Sequence, residues 1–307
     1  MLWVKKSAVL AVSLLLLAAA AGCGGGERDD GHAGHEQETA ASANAVHDAD
    51  HGGDEQPGEG GQAGGDHGGA HGSHGGEATA YELEWTYEPE QPKSGEPVSI
   101  RTQVYDAEGK TVEQFELSHE KLMHLIVVSE DLSVFQHLHP DKLDSGQFAV
   151  ETRLPQAGGY KLFADFVPEG GSDMTAVARL RVEGEQAEPH KLVPDEKLEQ
   201  TVNGIDVRLN LSSNKAGESS ELTFTFADAD TKEPVTDLEP YLGAMGHTVI
   251  VSEDSERYLH VHPVTEDGGG PEAKFATEFP ERGIYKIWGQ FQRSGETFIV
   301  PYVVNID

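Results

Sequence analysis

Two stretches of the chain are copies of each other, which restricts the fold to one that closes within a single copy. HLIVVSEDLSVFQHLHP (His124 to Pro140) and HTVIVSEDSERYLHVHP (His247 to Pro263) are identical at eight of 17 positions, at a constant offset of 123. Upstream, Lys93-Ser-Gly-Glu matches Lys215-Ala-Gly-Glu at offset 122. Downstream, Leu154-Pro-Gln-Ala-Gly-Gly-Tyr-Lys matches Phe279-Pro-Glu-Arg-Gly-Ile-Tyr-Lys at offset 125. Loop-length changes produce such drift. The chain therefore reads as two copies of one domain, residues 81–184 and 190–307, with a linker near Glu183 to Pro194 rich in Glu and Pro. Each copy is long enough for its own core. Within a copy, short runs of Val, Ile, Leu, Phe and Thr alternate with glycine and acidic turns. Val98–Tyr105, Leu125–Val128, Val134–His139, Gln147–Arg153, Tyr160–Phe166 and Ala176–Val182 are the expected strands of the first copy. Their near-regular spacing predicts an all-β fold of two tandem antiparallel β-sandwiches, immunoglobulin or cupredoxin in type. Residues 115–123 and 237–246 are candidates for a helical turn.

The histidines carry the chemistry. His124, His137 and His139 recur as His247, His260 and His262 with the same internal spacing. The segment reads as a hairpin, with Ser129 to Leu132 as the loop and His124 opposite His137. Residues directly opposite share a face, and His139, two positions on, shares it as well. Three imidazoles then converge at the end of each hairpin, a ligand set suited to copper or zinc. A one-residue slip would send the first histidine to the other face. Met123 and Met245 lie beside the first histidine of each copy and are possible accessory thioether ligands, which would favour Cu(I). The turn acids Glu130-Asp131 and Glu253-Asp254 fall at the far end of the hairpin, away from any ion. His119 and His190 have no counterpart and read as surface residues. Tyr160, Tyr285, Phe166, Phe291 and Trp288 read as core. The opposing reading is that the triplets are packing or surface residues inherited by both copies. Against it, the histidines match while neighbours such as Leu132/Ser255 and Val134/Arg257 have diverged.

Composition bears mainly on what precedes the repeats. The 307 residues carry 22 Lys+Arg against 54 Asp+Glu, a formal net charge of −32. That charge argues against nucleic acid, whose phosphates need a basic face, and against electrostatic docking on anionic lipid. Residues 23–80 form a tether rich in glycine, acids and histidine. From residue 24 on, Val46 is its only large aliphatic residue, and it holds no aromatic one. Such a segment buries too little apolar surface to offset chain entropy, so disorder is the expectation. His32, His35, His67, His71 and His74, with His47 and His51, are candidates for weak, multiple metal capture there.

The first 23 residues, MLWVKKSAVLAVSLLLLAAAAGC, combine Lys5 and Lys6 with an apolar run that is too short to span a bilayer and ends in small residues before Cys23. This resembles a bacterial lipoprotein signal. The resemblance implies removal of residues 1–22, lipid on Cys23 and a membrane anchor on the extracytoplasmic face. Cys23 is the single cysteine, so no internal disulfide framework or cysteine-based zinc site exists. Nor is there the Cys of a blue-copper site.

The HxHP strand end, followed by Pro-x-x-Gly-x-Tyr-Lys, resembles the YtkA-like extracytoplasmic domains. That resemblance covers each repeat and implies a secreted or membrane-anchored β-sandwich linked in some cases to copper or heavy-metal handling. Two functional readings follow. One is a lipoprotein that binds or buffers a transition metal, copper first and zinc second, with a protein partner in metal handling. The other is a cell-surface immunoglobulin-like interaction module without a metal role. The chain has no GxSxG or HExxH motif and no well-placed general base, so an enzyme is not expected.

Overall fold

The computed structural model describes residues 81–307 apart from 187, 189, 262 and 265–267. The tether and Cys23 lie outside these residues. The described chain is all-β, in two tandem sandwiches.

The first repeat comprises β1 (Tyr81–Glu88), β2 (Pro97–Asp106), β3 (Phe115–Glu116), β4 (Met123–Ser129), β5 (Phe135–Leu138), β6 (Asp141–Lys142), β7 (Gln147–Arg153), β8 (Gly158–Pro168) and β9 (Met174–Val182). One sheet runs β1-β2-β7-β6. The other runs β3-β8-β4-β5, with β9 also paired to β8. The second repeat comprises β10 (Glu199–Val202), β11 (Ile205–Leu211), β12 (Ser219–Asp228), β13 (Leu238–Glu239), β14 (His247–Ser252), β15 (Tyr258–Val261), β16 (Glu272–Glu278), β17 (Gly283–Arg293) and β18 (Glu296–Ile306). Its sheets are β10-β11-β12-β16 and β13-β17-β14-β15, with β18 on β17. All strand pairs named here are antiparallel.

Each sandwich closes over its own core. Val98, Ile100, Phe148 and Leu162 meet Leu125 and Val127 in the first. Phe224, Phe226, Phe275 and Phe291 meet Ile250 and Ile287 in the second. The tyrosine of the Pro-x-x-Gly-x-Tyr motif bonds back four residues in both. Tyr160 Oη donates to Gln156 O and Tyr285 Oη to Glu281 O, each at 2.9 Å. A tyrosine turned back on the chain in this way is a corner lock of immunoglobulin-type sandwiches.

The expected helical turns are absent. Residues 115–123 and 237–246 instead hold the two-residue strands β3 and β13 and a tight turn, bridged Ser118 to Lys121 and Tyr241 to Ala244. The left-handed backbone of His119, Glu120, Leu242 and Gly243 makes the turn and stops a helix. The only helical turn among the described residues is a 3-10 segment at Asp144–Gly146.

Strand β4 is buried along its whole length. A strand at the surface of one sandwich has one wet face, so something covers the other. Ile126, Val128 and Phe163 of the first repeat pack with Val249, Val251 and Trp288 of the second in a third apolar cluster. The two repeats therefore meet through the outer faces of their β4–β8 and β14–β17 sheets. Trp288 is buried as expected, but it and its counterpart Phe163 lie between the repeats rather than inside a sandwich.

Candidate metal centre

The contacts between repeats come in pairs that exchange the two copies. Phe163 stacks on Tyr258 at 4.2 Å between ring centres, and Phe135 stacks on Trp288 at 4.8 Å. The Lys161 ammonium donates to Ser255 O at 2.5 Å, and the Lys286 ammonium to Leu132 O at 2.7 Å. Each pair joins residues that occupy equivalent positions in the repeat alignment. This is the pattern of an isologous, two-fold contact.

The histidines lie at one end of this contact. The β4–β5 register pairs Ile126 with His137 and Val128 with Phe135. The expected pairing of His124 with His137 is therefore off by two. The loop is six residues, Ser129 to Val134, rather than four. Asp131 accepts from Ser129 Oγ at 2.6 Å and from Ser133 Oγ at 2.7 Å, and Leu132 takes a left-handed backbone. A shift of two keeps every side chain on its face. His124, His137 and His139 therefore still converge, and one ring nitrogen from each lies within 4.8 Å of the others. In the second repeat Val249 pairs with His260, the same register. His262 lies outside the described residues.

The two triplets were expected to form separate centres, one per sandwich. Instead the rings interleave. His124 lies 5.2 Å from His137 and 5.1 Å from His139 between ring centres, and also 6.0 Å from His247 and 5.5 Å from His260. His137 lies 5.6 Å from His247 and 5.8 Å from His260. Among the described residues, rings from both repeats therefore lie within one cluster.

Four of the rings, those of His124, His137, His247 and His260, are oriented from behind. His124 Nε2 lies 2.9 Å from Ser118 O and His247 Nε2 3.1 Å from Tyr241 O, equivalent carbonyls in the two repeats. A carbonyl only accepts, so both Nε2 atoms carry the proton and both Nδ1 atoms keep a lone pair. His137 Nδ1 donates to Gln290 Oε1 at 2.9 Å, and His260 Nδ1 to Asp165 Oδ2 at 2.9 Å. Asp165 also accepts from Tyr258 Oη at 2.5 Å and from Thr175 Oγ1 at 2.6 Å. Asp165 and Gln290 are equivalent positions, and each serves a histidine of the other repeat.

The consequence is electrostatic. With these tautomers, the lone pairs of His124 Nδ1 and His137 Nε2 face each other at 3.0 Å. Two lone pairs at that distance repel unless a cation lies between them. A proton is disfavoured. Burial, reinforced by the neighbouring His260, pushes the His124 pKa down to about 3 and the His137 pKa well below its usual value. Burial likewise lowers His139 to about 4, assisted by Lys121, and His247 to about 2. Burial raises the Asp165 carboxyl, but the hydrogen bond and charge of His260, with the Thr175 and Tyr258 hydroxyls, outweigh it and hold the pKa below the usual carboxylate value. His124, His137, His139 and His247 are thus held as neutral imidazoles, the form in which imidazole binds a metal, and the part-buried Asp165 carboxylate stands behind His260. A small pocket lined by Ser118, Met174, Thr175 and Tyr258 opens onto His124 and His260. A larger cavity lies at the other end of the hairpins, between Asp131, Gly158 and the linker at Leu192.

Several expectations change. Met123 is next to His124 on a strand and so points to the opposite face, into the first core, where Thr102 Oγ1 lies 3.7 Å from its sulfur. Met245 precedes β14 and packs in the second core. Gly246 between them is needed, since a Cβ there would lie 2.5 Å from the Phe291 ring. Neither thioether is positioned as a ligand. His119 is not a plain surface residue: its ring lies 5.3 Å from His247 and 6.4 Å from His124. His190 is exposed, as expected. Asp165, Gln290 and Tyr258 were missed. The signal for them was an outward strand face reading Lys161, Phe163, Asp165 and again Lys286, Trp288, Gln290, with an aromatic where a solvent face carries polar residues.

No curated protein matches the chain. Among solved structures it is similar to FdeC, an Escherichia coli adhesin (19% identity over 74% of this chain and 64% of that one, TM-score 0.23). It is also similar to the adhesin InvE of Yersinia pseudotuberculosis (10% identity, 72% and 58%, TM-score 0.25) and to the D00-D0 domain of intimin (10% identity, 73% and 98%, TM-score 0.22). The chain spans about three fifths of the length of the first two. Residues 77–184 and 200–307 each match the family described as Domain of unknown function (DUF8832). The chain belongs to that family and carries its domain twice.

Proposed function

We propose that this chain is an extracytoplasmic, lipid-anchored protein that binds and buffers a transition metal, copper first and zinc second, at its histidine cluster. The observation that carries the reading is the pair of inward ring nitrogens, His124 Nδ1 and His137 Nε2, held 3.0 Å apart with their protons committed elsewhere. The buried Nε2 of His139, which has no hydrogen-bond partner, supplies a third donor. Second-sphere groups that fix the tautomer are a regular part of histidine metal sites. The tether histidines add weak capture, and Cys23 supplies the anchor. A protein partner in metal handling would collect or deliver the ion.

The competing reading is a cell-surface interaction module of two immunoglobulin-like sandwiches. Its support is that adhesins are among the similar solved structures, a likeness of fold alone. Calorimetric titration with Cu2+ and Zn2+ separates the two. The full chain is used, with the seven tether histidines changed to Ala. The metal reading expects binding far tighter than millimolar that disappears when His124, His137 and His139 are all Ala. Absence of such binding, or binding indifferent to those changes, leaves the interaction module.

A further inference from the structure

We infer that the ion is held by four imidazoles rather than three, and that the fourth is His247, supplied by the second repeat. This rests on the metal-binding reading and adds to it a ligand that makes the centre a joint product of both repeats.

The first observation is an unused atom. His247 is 1% exposed, and its Nδ1 is buried with no hydrogen-bond partner. Its Nε2 is already committed to Tyr241 O, so Nδ1 presents a lone pair. A buried polar atom without a partner is costly unless something compensates it. The second observation is distance. With metal–nitrogen bonds near 2 Å, two imidazoles on one tetrahedral ion have ring centres roughly 5 Å apart. The three histidines of the first repeat already meet that spacing, with ring centres 5.2, 5.1 and 4.6 Å apart. His247 lies 5.6 Å from His137 and 6.0 Å from His124, so a shift of about 1 Å brings its ring to ligand spacing from those two rings. The third is equivalence. His247 is the repeat counterpart of His124 and is oriented by the counterpart carbonyl, so its free nitrogen is the same Nδ1 that His124 turns toward His137.

Chemically, a fourth neutral imidazole closes the coordination sphere. A closed four-nitrogen centre stores or carries an ion, whereas three ligands and an open position suit catalysis.

The test uses the full chain with its tether histidines changed to Ala, and Co2+ as a spectroscopic probe. The unaltered cluster is expected to give the intense visible bands of a tetrahedral ion. His247→Ala is expected to lower those bands toward a water-containing centre and weaken binding at least about tenfold, a loss comparable to that of supporting groups in known sites. His247→Gln fills more of the space and guards against a variant that does not fold. It is expected to show the same loss. On the parent cluster, electron spin-echo spectroscopy of bound Cu2+ counts the imidazoles directly, and four are expected. If His247→Ala and His247→Gln keep the parent spectrum and affinity while His137→Ala loses both, metal binding stands and the fourth ligand is refuted. If spin-echo counts three imidazoles, it is likewise refuted. If the parent cluster binds neither ion, the metal-binding reading falls and this inference with it.

Discussion

Position 165 carries an aspartate, and its counterpart 290 carries a glutamine. Both stand behind a histidine of the opposite repeat, and both are reached from β8 or β17 on the face that meets the other copy. The aspartate side is the more heavily built, since Tyr258 and Thr175 also donate to the same carboxylate. The glutamine side holds His137 and lies 3.4 Å from the Tyr241 hydroxyl. The two sides teach different things about an imidazole. An amide oxygen fixes which nitrogen carries the proton. A carboxylate does that and also raises the basicity of the other nitrogen. One acid at the cluster therefore sets its charge without giving every ring a charged partner.

The comparison breaks most readily at the aromatic stacks. Phe163 on Tyr258 and Phe135 on Trp288 are equivalent contacts, so Phe163→Ala and Trp288→Ala should cost similar amounts, about 3–5 kcal/mol each. Urea unfolding followed by circular dichroism measures this, and a loss confined to one stack would mean the copies are not held alike. Acid comes next. In the metal-free protein, His124, His139 and His247 have folded pKa values of about 3, 4 and 2, below the roughly 6.5 of an unfolded histidine. The unfolded chain thus binds protons first as pH falls. The stability is complete above about pH 6.5 and lost progressively below it, by up to about 1.4 kcal/mol per pH unit for each ring. Unfolding free energies at pH 7.5 and 5.5 give the slope, and His247→Leu should remove one proton from it. A flat profile would mean these rings are not buried neutral.

The acid–amide difference itself is sharpened by exchange. Asp165→Asn should weaken metal binding about 10–100-fold, while Gln290→Asn should weaken it less. Equal losses from the two would show that orientation alone matters and charge does not. The smallest effect belongs to the crossing lysines. Lys161 pairs with Glu256 at 3.0 Å as well as with the Ser255 carbonyl. Burial lowers the Lys286 pKa, though the charges of Asp131 and Asp195 oppose it. Lys161→Met should therefore cost more than Lys286→Met, by less than about 1 kcal/mol because Glu256 is half exposed. The same unfolding curves decide it.

The sequence made the strands and the shared face of the histidines legible. Side-chain alternation has period two, so a hairpin wrong by two residues still directs His124, His137 and His139 the same way. The register was not legible, because it depends on a serine and an aspartate bonding within the loop rather than on hydrophobic pattern. The partnership of the two repeats was hidden for a related reason. Trp288 reads as core, and burial against a second copy leaves the same sequence signature as burial within the first. His119 has no counterpart, and so the repeat alignment that exposed the other histidines made it look idle. Met123 shows the converse error, since adjacency in sequence is separation across a strand.

The paired exchange of contacts has a consequence for how such a centre arises. Two separate chains meeting around a two-fold axis must place the same residue on both sides, giving two aspartates or two glutamines, never one of each. Fusing the partners end to end removes that obligation while keeping them together at high effective concentration. The lone acid at position 165 is thus something a homodimer has no means of encoding. A single copy produced alone would expose Ile126, Val128 and Phe163 and be driven to self-associate, returning to the symmetry that the joined chain has escaped.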